Sequence, residues 1–169
     1  VAYDQLQRQP ADRWDGLGGL IYEWALMHYN AGNTARADEL FTRFVETAPE
    51  NEWADDARLL LAESLYFDKK YEQAREAFRA LSEDKAADEF VRERALLFLM
   101  TAAAQLEDWK QLQTSARTLA EKFPDGKHKQ EALYRQAEAA LHLEDLETAR
   151  TLLADLAARH DEQALAAQE

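Results

Sequence analysis

The chain has 169 residues, of which 47% are hydrophobic, and it contains no cysteine. This length suits a domain with a buried core, while the lack of cysteine excludes disulfides, thiolate metal sites and thiol nucleophiles and leaves the redox compartment open. Lys and Arg number 20 against 33 Asp and Glu, so the formal net charge is −13, which disfavours nucleic acid and anionic membranes as partners.

Residues 1–16 precede the first complete structural unit. Tyr3 and Leu6 are the apolar positions of this segment, and Pro10 ends the stretch that holds them. We expect a remnant of a helix whose partner lies upstream, or a capping helix. Because the chain begins with Val1 and carries no signal-peptide pattern, we expect the natural protein to be longer on the N-terminal side.

Residues 53–81 show the repeating unit most clearly, as two amphipathic helices separated by the polar break at residues 68–70. The small and apolar residues of the first helix follow a period of 3.6: Ala57, Leu60, Leu61, Ser64 and Leu65. Those of the second helix follow the same period: Tyr71, Ala74, Ala77, Phe78 and Leu81. The pattern predicts a helix pair with Phe78 and Leu61 in its core.

The unit recurs along the chain with an almost constant period. A small or apolar residue lies early in each second helix, at positions separated by 37, 38 and 37 residues: Ala37, Ala74, Leu112 and Ala149. Such periodicity predicts a helical solenoid. Its four repeats are predicted at residues 17–50, 51–86, 87–125 and 126–160, with residues 161–169 as a partial cap. Asn33, Asp108 and Asp145 are the predicted N-caps of three second helices.

These units resemble the tetratricopeptide repeat, which has small residues in both helices and an aromatic residue in the second. Ala62, Ala74 and Phe78 fit that pattern, and Pro49 closes the first unit. The resemblance implies an all-α, right-handed solenoid. The third repeat departs most from the pattern, since Met100 and Leu112 replace small residues and Ala116 replaces the aromatic one. There we expect bulk to have moved from one helix to its neighbour.

The period, a few residues longer than is usual for this family, is similar to that of bacterial cell-envelope proteins. The Tol–Pal accessory proteins and the outer-membrane assembly lipoproteins are examples. This resemblance favours the periplasm or cell envelope slightly over the cytoplasm. The longest apolar run, at residues 95–104, is shorter than the about 20 residues of a membrane span and predicts a buried helix, so direct membrane insertion is not expected.

The sequence shows no catalytic constellation, and we predict neither an enzyme nor a cofactor. None of the five glycines forms a phosphate-binding loop. Glu138 and His142 lie four residues apart and would supply half of a metal site, but a solvated polar pair is the better interpretation. His28 is predicted as a hydrogen-bonded interior histidine.

The resemblance also implies that the first helix of each repeat lines a concave, partner-binding face. The implied residues of the first two repeats are Tyr22, Leu26, Tyr29, Asn30, Leu59, Glu63, Tyr66 and Phe67. Those of the last two are Leu97, Thr101, Ala104, Gln105, Tyr134, Glu138, Leu141 and His142. Aromatic residues are favoured as binding hot spots, although each could instead pack against the next unit.

Two functions fit this architecture. The first is a protein-binding module, an adaptor that holds an apolar or tyrosine-contacting peptide or helix of another protein within a cell-envelope assembly. Some family members hold the C-terminal carboxylates of chaperones with lysine, arginine and asparagine at these positions. In this chain, Asn30 is the only such residue there. The second is a structural segment of a longer solenoid, or a subunit that forms homo-oligomers through its repeat ends.

Overall fold

The computed structural model describes the backbone of residues 18–166 and the side chains of residues 18–158. The predicted remnant or capping helix at residues 1–16 lies outside the described residues. Eight helices and no strand occupy the described part, which confirms the all-α prediction. In chain order they are α1 (Gly18–Asn30), α2 (Thr34–Thr47), α3 (Ala54–Phe67), α4 (Tyr71–Glu83), α5 (Glu89–Gln105), α6 (Trp109–Lys122), α7 (Lys129–His142) and α8 (Leu146–Ala166).

The described helices belong to two compact units, which divide between Asp68 and Lys69. In the first unit, α1 packs on α2 and α2 packs on α3. In the second unit, each helix from α4 to α8 packs on the next, and α5 also contacts α7. Short connections between packed helices make neighbours antiparallel, and packing in chain order is typical of a helical solenoid.

A left-handed residue ends the first helix of each predicted pair. Among residues 18–166, positive φ angles of 76°, 62°, 54° and 60° occur at Gly32, Lys69, Glu107 and Glu144. Three of these turns close with a backbone bond spanning five residues, such as Asp145 N to Ala140 O at 2.8 Å, which is the main bond of the Schellman motif. The turns therefore repeat with the spacing of the sequence markers.

The N-caps of the second helices differ between repeats. The Asp108 carboxylate accepts a hydrogen bond from the Gln111 backbone N–H at 3.1 Å, and Asp145 accepts one from the Thr148 N–H at 3.2 Å. The side-chain and backbone hydrogen bonds of Thr148 lower the pKa of Asp145. Asn33 precedes α2 as predicted, but its side chain forms no capping bond. Two of the three predicted caps are thus confirmed.

The buried face of α3 is rotated from the predicted one. In α4, Phe78 is fully buried as predicted, and its ring stacks on Phe98 of α5 at a centroid distance of 5.1 Å. Leu61, however, is only half-buried, while Leu59 is 3% exposed. Three consecutive leucines give this helix two overlapping apolar stripes, so the 3.6-residue period alone does not decide which stripe lies innermost.

The last helix is longer than predicted. It continues from Leu146 to Ala166, past residue 160, where the fourth repeat was expected to give way to a partial cap. Residues 146–169 contain no glycine or proline, the two residues that most disfavour a helix interior, so no local signal ends the helix there.

Within the described residues, none of the helices has the length and apolarity that crossing a membrane requires.

Candidate functional site

Tyr22, predicted to face a partner, is a core residue of the first unit. Its ring stacks on Trp53 with centroids 5.3 Å apart, and it contacts Phe41 and Phe44 at 5.8 and 5.4 Å. The side chain is 9% exposed, and burial raises the pKa of its phenol. The prediction of a partner contact is therefore corrected, because Trp53, just before α3, covers the ring.

The other predicted residues of α1 are more accessible. Leu26 and Tyr29 are half-buried against the core of the first unit, and the Tyr29 ring meets Phe41 edge-on at 6.5 Å. Asn30 is exposed. His28, predicted as an interior residue, is half-buried beside Trp24. Of this group, Asn30 is the most available to a partner.

The predicted residues of α3 divide into a buried and an accessible pair. Leu59 and Glu63 are 3% and 1% exposed, so neither offers surface to a ligand, which corrects their assignment. Tyr66 is half-buried and Phe67 is 66% exposed. Their rings meet edge-to-face at 5.6 Å, which makes an accessible aromatic patch at the end of α3.

In the second unit, the predicted residues of α5 lie at the helix surface. Leu97, Thr101 and Ala104 are half-buried, and Gln105 is exposed. The Thr101 hydroxyl donates a hydrogen bond to the Phe98 carbonyl at 2.9 Å. That proton serves the helix itself, so Thr101 offers a partner its methyl group and the lone pairs of its oxygen.

One face of α7 carries two exposed large side chains among the predicted residues. Tyr134 and Leu141 are 54% and 48% exposed, and they lie seven residues apart on one helix face. Glu138, between them, accepts a hydrogen bond from Arg135 at 2.9 Å, and this bond is the main cause of the raised pKa of Arg135. This face is therefore apolar and aromatic, with its carboxylate already paired.

His142 makes a contact that the sequence did not predict. Its ring lies flat against Trp109, with centroids 3.7 Å apart and an interplanar angle of 2°. Because Glu138 pairs with Arg135 and His142 stacks on Trp109, each member of the half metal site has another role. In the part of the chain that the structure describes, no group of three or more potential ligands could hold a metal.

The predicted residues of α5 and α7 lie on first helices of successive repeats. The two helices contact each other, and their predicted residues occupy equivalent positions of successive repeats, 37 residues apart. We call this surface the α5/α7 face, formed by Leu97, Thr101, Ala104, Gln105, Tyr134, Glu138, Leu141 and His142. Its residues come from two successive repeats of one compact unit.

A family model of the tetratricopeptide repeat matches residues 20–51, 56–84 and 131–162. These segments make up more than half of the chain, so the chain belongs to the tetratricopeptide-repeat family. Repeats of this family generally mediate protein–protein interactions, and their fold is typically non-catalytic. A search of curated proteins finds none that matches the chain. The α5/α6 pair falls between the matched segments.

Proposed function

We propose that the chain is a protein-binding module that holds a peptide or helix of a partner protein on the α5/α7 face. The observation that carries the proposal is the exposure of Tyr134 and Leu141, 54% and 48%, beside a neighbouring first helix in a family of protein-binding repeats. Large apolar side chains that are exposed together on one helix face are typical of interaction sites.

The chemistry of the α5/α7 face favours an apolar or tyrosine-contacting segment. Tyrosine offers large contact area at a small entropy cost, and it is enriched at binding hot spots. Gln105 and the Thr101 oxygen supply polar groups that a partner backbone could use. The net charge of −13 also favours association with partners that are not themselves strongly acidic.

The first unit offers a second, smaller surface to the same kind of partner. Phe67, Tyr66 and Asn30 are its accessible members, while Tyr22, Leu59 and Glu63 are removed from the proposed site by their burial. The setting in a bacterial cell-envelope assembly stays a prediction, because it rests on repeat length alone.

Selection of peptides on the purified chain tests the proposed face directly. A random peptide library would be selected against the whole chain, and the affinities of the selected peptides measured for the wild type and for the Tyr134→Ala/Leu141→Ala variant. Hot-spot truncation costs about 2 kcal/mol or more, so we expect a loss of at least about tenfold. Both side chains are exposed, so the variant should retain its helical content.

Leu146→Ala is the matched control. Leu146 is 66% exposed on α8, so its truncation removes a similar apolar group outside the α5/α7 face. We expect peptide affinities within about twofold of the wild type for this variant. Equal binding by the wild type and the Tyr134→Ala/Leu141→Ala variant, or a loss confined to Leu146→Ala, would contradict the proposal.

The alternative function, a structural or self-assembling segment, is supported by α8. Leu146 and Leu153, seven residues apart, are 66% and 40% exposed and share one face of that helix. In a solenoid, such a face packs on a further repeat or on another copy. Light scattering across a concentration series checks this alternative, since association through α8 would weaken in the Leu146→Ala/Leu153→Ala variant.

A further inference from the structure

The second unit contains a cavity that lies among the end of α4, the start of α5 and the end of α6. Its volume is about 230 Å³. We call it the Arg92 pocket, and its lining residues are Ser82, Glu89, Arg92, Leu96, Lys122 and Phe123. No residue of this set belongs to the α5/α7 face.

Arg92 reaches the pocket because it continues the buried stripe of α5. It precedes Leu96, Leu99 and Ala103 at intervals of four, three and four residues, and those three side chains are 4%, 3% and 0% exposed. The aliphatic part of the Arg92 side chain is therefore directed between packed helices. Its Nε atom is buried and forms no hydrogen bond within the described residues. A buried donor of a charged group without an acceptor is costly, so the Arg92 guanidinium is left incompletely hydrogen-bonded beside the pocket that its residue lines.

The other lining groups define what that acceptor could be. Lys122 adds a second positive charge and Glu89 a negative one, so the lining carries a net charge of about +1 at neutral pH. One monoanion balances that charge, whereas a phosphate group, with about −1.5 to −2, would overcompensate it beside the Glu89 carboxylate. Leu96 and Phe123 form apolar walls. Ser82, 4% exposed, donates its hydroxyl proton to the Arg79 carbonyl at 2.8 Å.

We propose that the Arg92 pocket binds a carboxylate group, held by the Arg92 guanidinium and the Lys122 ammonium, with its attached apolar atoms against Leu96 and Phe123. Guanidinium and carboxylate match in planar, two-bond geometry, and the carboxylate charge balances the positive charge of the lining. The carboxylate could be a chain terminus or an acidic side chain.

Nuclear magnetic resonance of the ¹⁵N-labelled whole chain tests this proposal at the atom concerned. The Nε–H signal of Arg92, assigned by its loss in Arg92→Lys, would be followed during titration with N-acetylleucine, which mimics a chain terminus. N-acetylleucinamide is the matched neutral probe. The α-amide of N-acetylglutamate carries only a side-chain carboxylate. We expect saturable shifts with at least one carboxylate and none with the neutral amide. The stronger of the two acids identifies the source.

Carboxylate binding by variants of the pocket tests the proposal even if Arg92 contributes to folding. Arg92→Gln, probed through the backbone amides around Leu96 and Phe123, should weaken carboxylate binding by at least about tenfold. Glu89→Gln removes the like charge at the rim and should tighten binding about two- to fivefold. Arg150→Gln, at an exposed ion pair with Glu147, is the control and should bind like the wild type.

Several results would overturn the assignment. Equal shifts with N-acetylleucine and N-acetylleucinamide would show that the carboxylate is not recognised. Undiminished binding by Arg92→Gln, or weaker binding by Glu89→Gln, would place the anion elsewhere. Tighter binding of inorganic phosphate than of either carboxylate would contradict the charge argument.

Discussion

The α1/α2 pair and the α5/α6 pair have the same helical plan but different interiors. In α1/α2, the first helix carries the small residue Ala25 and the second helix carries the large residue Phe41, and both are 0% exposed. At the equivalent positions of α5/α6, 75 residues later, Met100 and Ala116 are also 0% exposed. The small residue and the large residue have exchanged helices.

This exchange explains why the two pairs differ in their likeness to the family while sharing a fold. Helix pairs tolerate core substitutions when total volume and apolar pattern are kept. The geometry of the turn stays constant. A residue with positive φ follows the first helix, Gly32 after α1 and Glu107 after α5, and the next helix begins two residues later. The turn and the buried register define the repeat, while the residue types that fill its core can change.

Truncation of the large core residues should have the largest effect, and on opposite helices. Phe41→Ala should lower the free energy of unfolding by about 3–5 kcal/mol, and Met100→Ala by about 2–5 kcal/mol, because each leaves a cavity. Ala116→Gly, at the position equivalent to Phe41, should cost only about 1 kcal/mol. Urea unfolding followed by circular dichroism measures these values.

Leu20→Ala provides the control for these truncations, since Leu20 is 64% exposed and its change should stay within about 0.5 kcal/mol. A larger cost for Ala116→Gly than for Met100→Ala would show that bulk was not exchanged between the helices.

The second helices should also respond differently at their N-caps. Asp108→Ala removes the bond to the Gln111 N–H, and we expect a cost of about 1 kcal/mol. Asn33→Ala should cost only a few tenths of that value, about 0.3 kcal/mol, because Asn33 forms no capping bond. Thermal unfolding of both variants measures the difference. Asp108 also lies 3.4 Å from Arg75, so Arg75→Gln separates the ion pair from the cap. Equal losses at Asp108 and Asn33 would contradict the observed caps.

Substitutions at the two turns should change the stability in opposite directions. Gly32→Ala should destabilise the chain by about 1 kcal/mol, because a residue with a Cβ atom is strained at positive φ. The added methyl would meet nothing within 4 Å, so the cost is conformational. Glu107→Gly relieves the same strain but gains freedom in the unfolded chain, and we expect a net stabilisation of about 0.5 kcal/mol. Destabilisation by both changes, measured by urea unfolding, would contradict this account.

The helix pairs could be predicted from the sequence because their signals are local. The spacing of Ala37, Ala74, Leu112 and Ala149 located the turns, and the substitutions at Met100 and Ala116 indicated the rearranged core. Accessibility could not be predicted in the same way. Tyr22 and Tyr134 occupy equivalent first-helix positions, yet one is 9% and the other 54% exposed.

The difference between those two tyrosines arises from non-local packing. Tyr22 is covered by Trp53, 31 residues later in the sequence, and no periodic pattern records that contact. The Arg92 pocket was missed for a related reason, since an arginine near a helix start is typical of a solvated surface. Its position four residues before Leu96, on the stripe that continues through Leu99 and Ala103, is the signal that could have revealed it.

A double-mutant cycle on the first pair tests most directly whether the two interiors are exchangeable versions of one repeat. The cycle compares Phe41→Ala, Ala25→Met and the double variant, which transfers the interior of α5/α6 into α1/α2. Phe41→Ala should lower the free energy of unfolding by about 3–5 kcal/mol, because it leaves a cavity. Ala25→Met should lower it by about 1–3 kcal/mol, because it overpacks the core. We expect the double variant to lose less stability than the sum of the two single variants, with a coupling energy of at least about 1 kcal/mol. Additive losses within about 0.5 kcal/mol would contradict it.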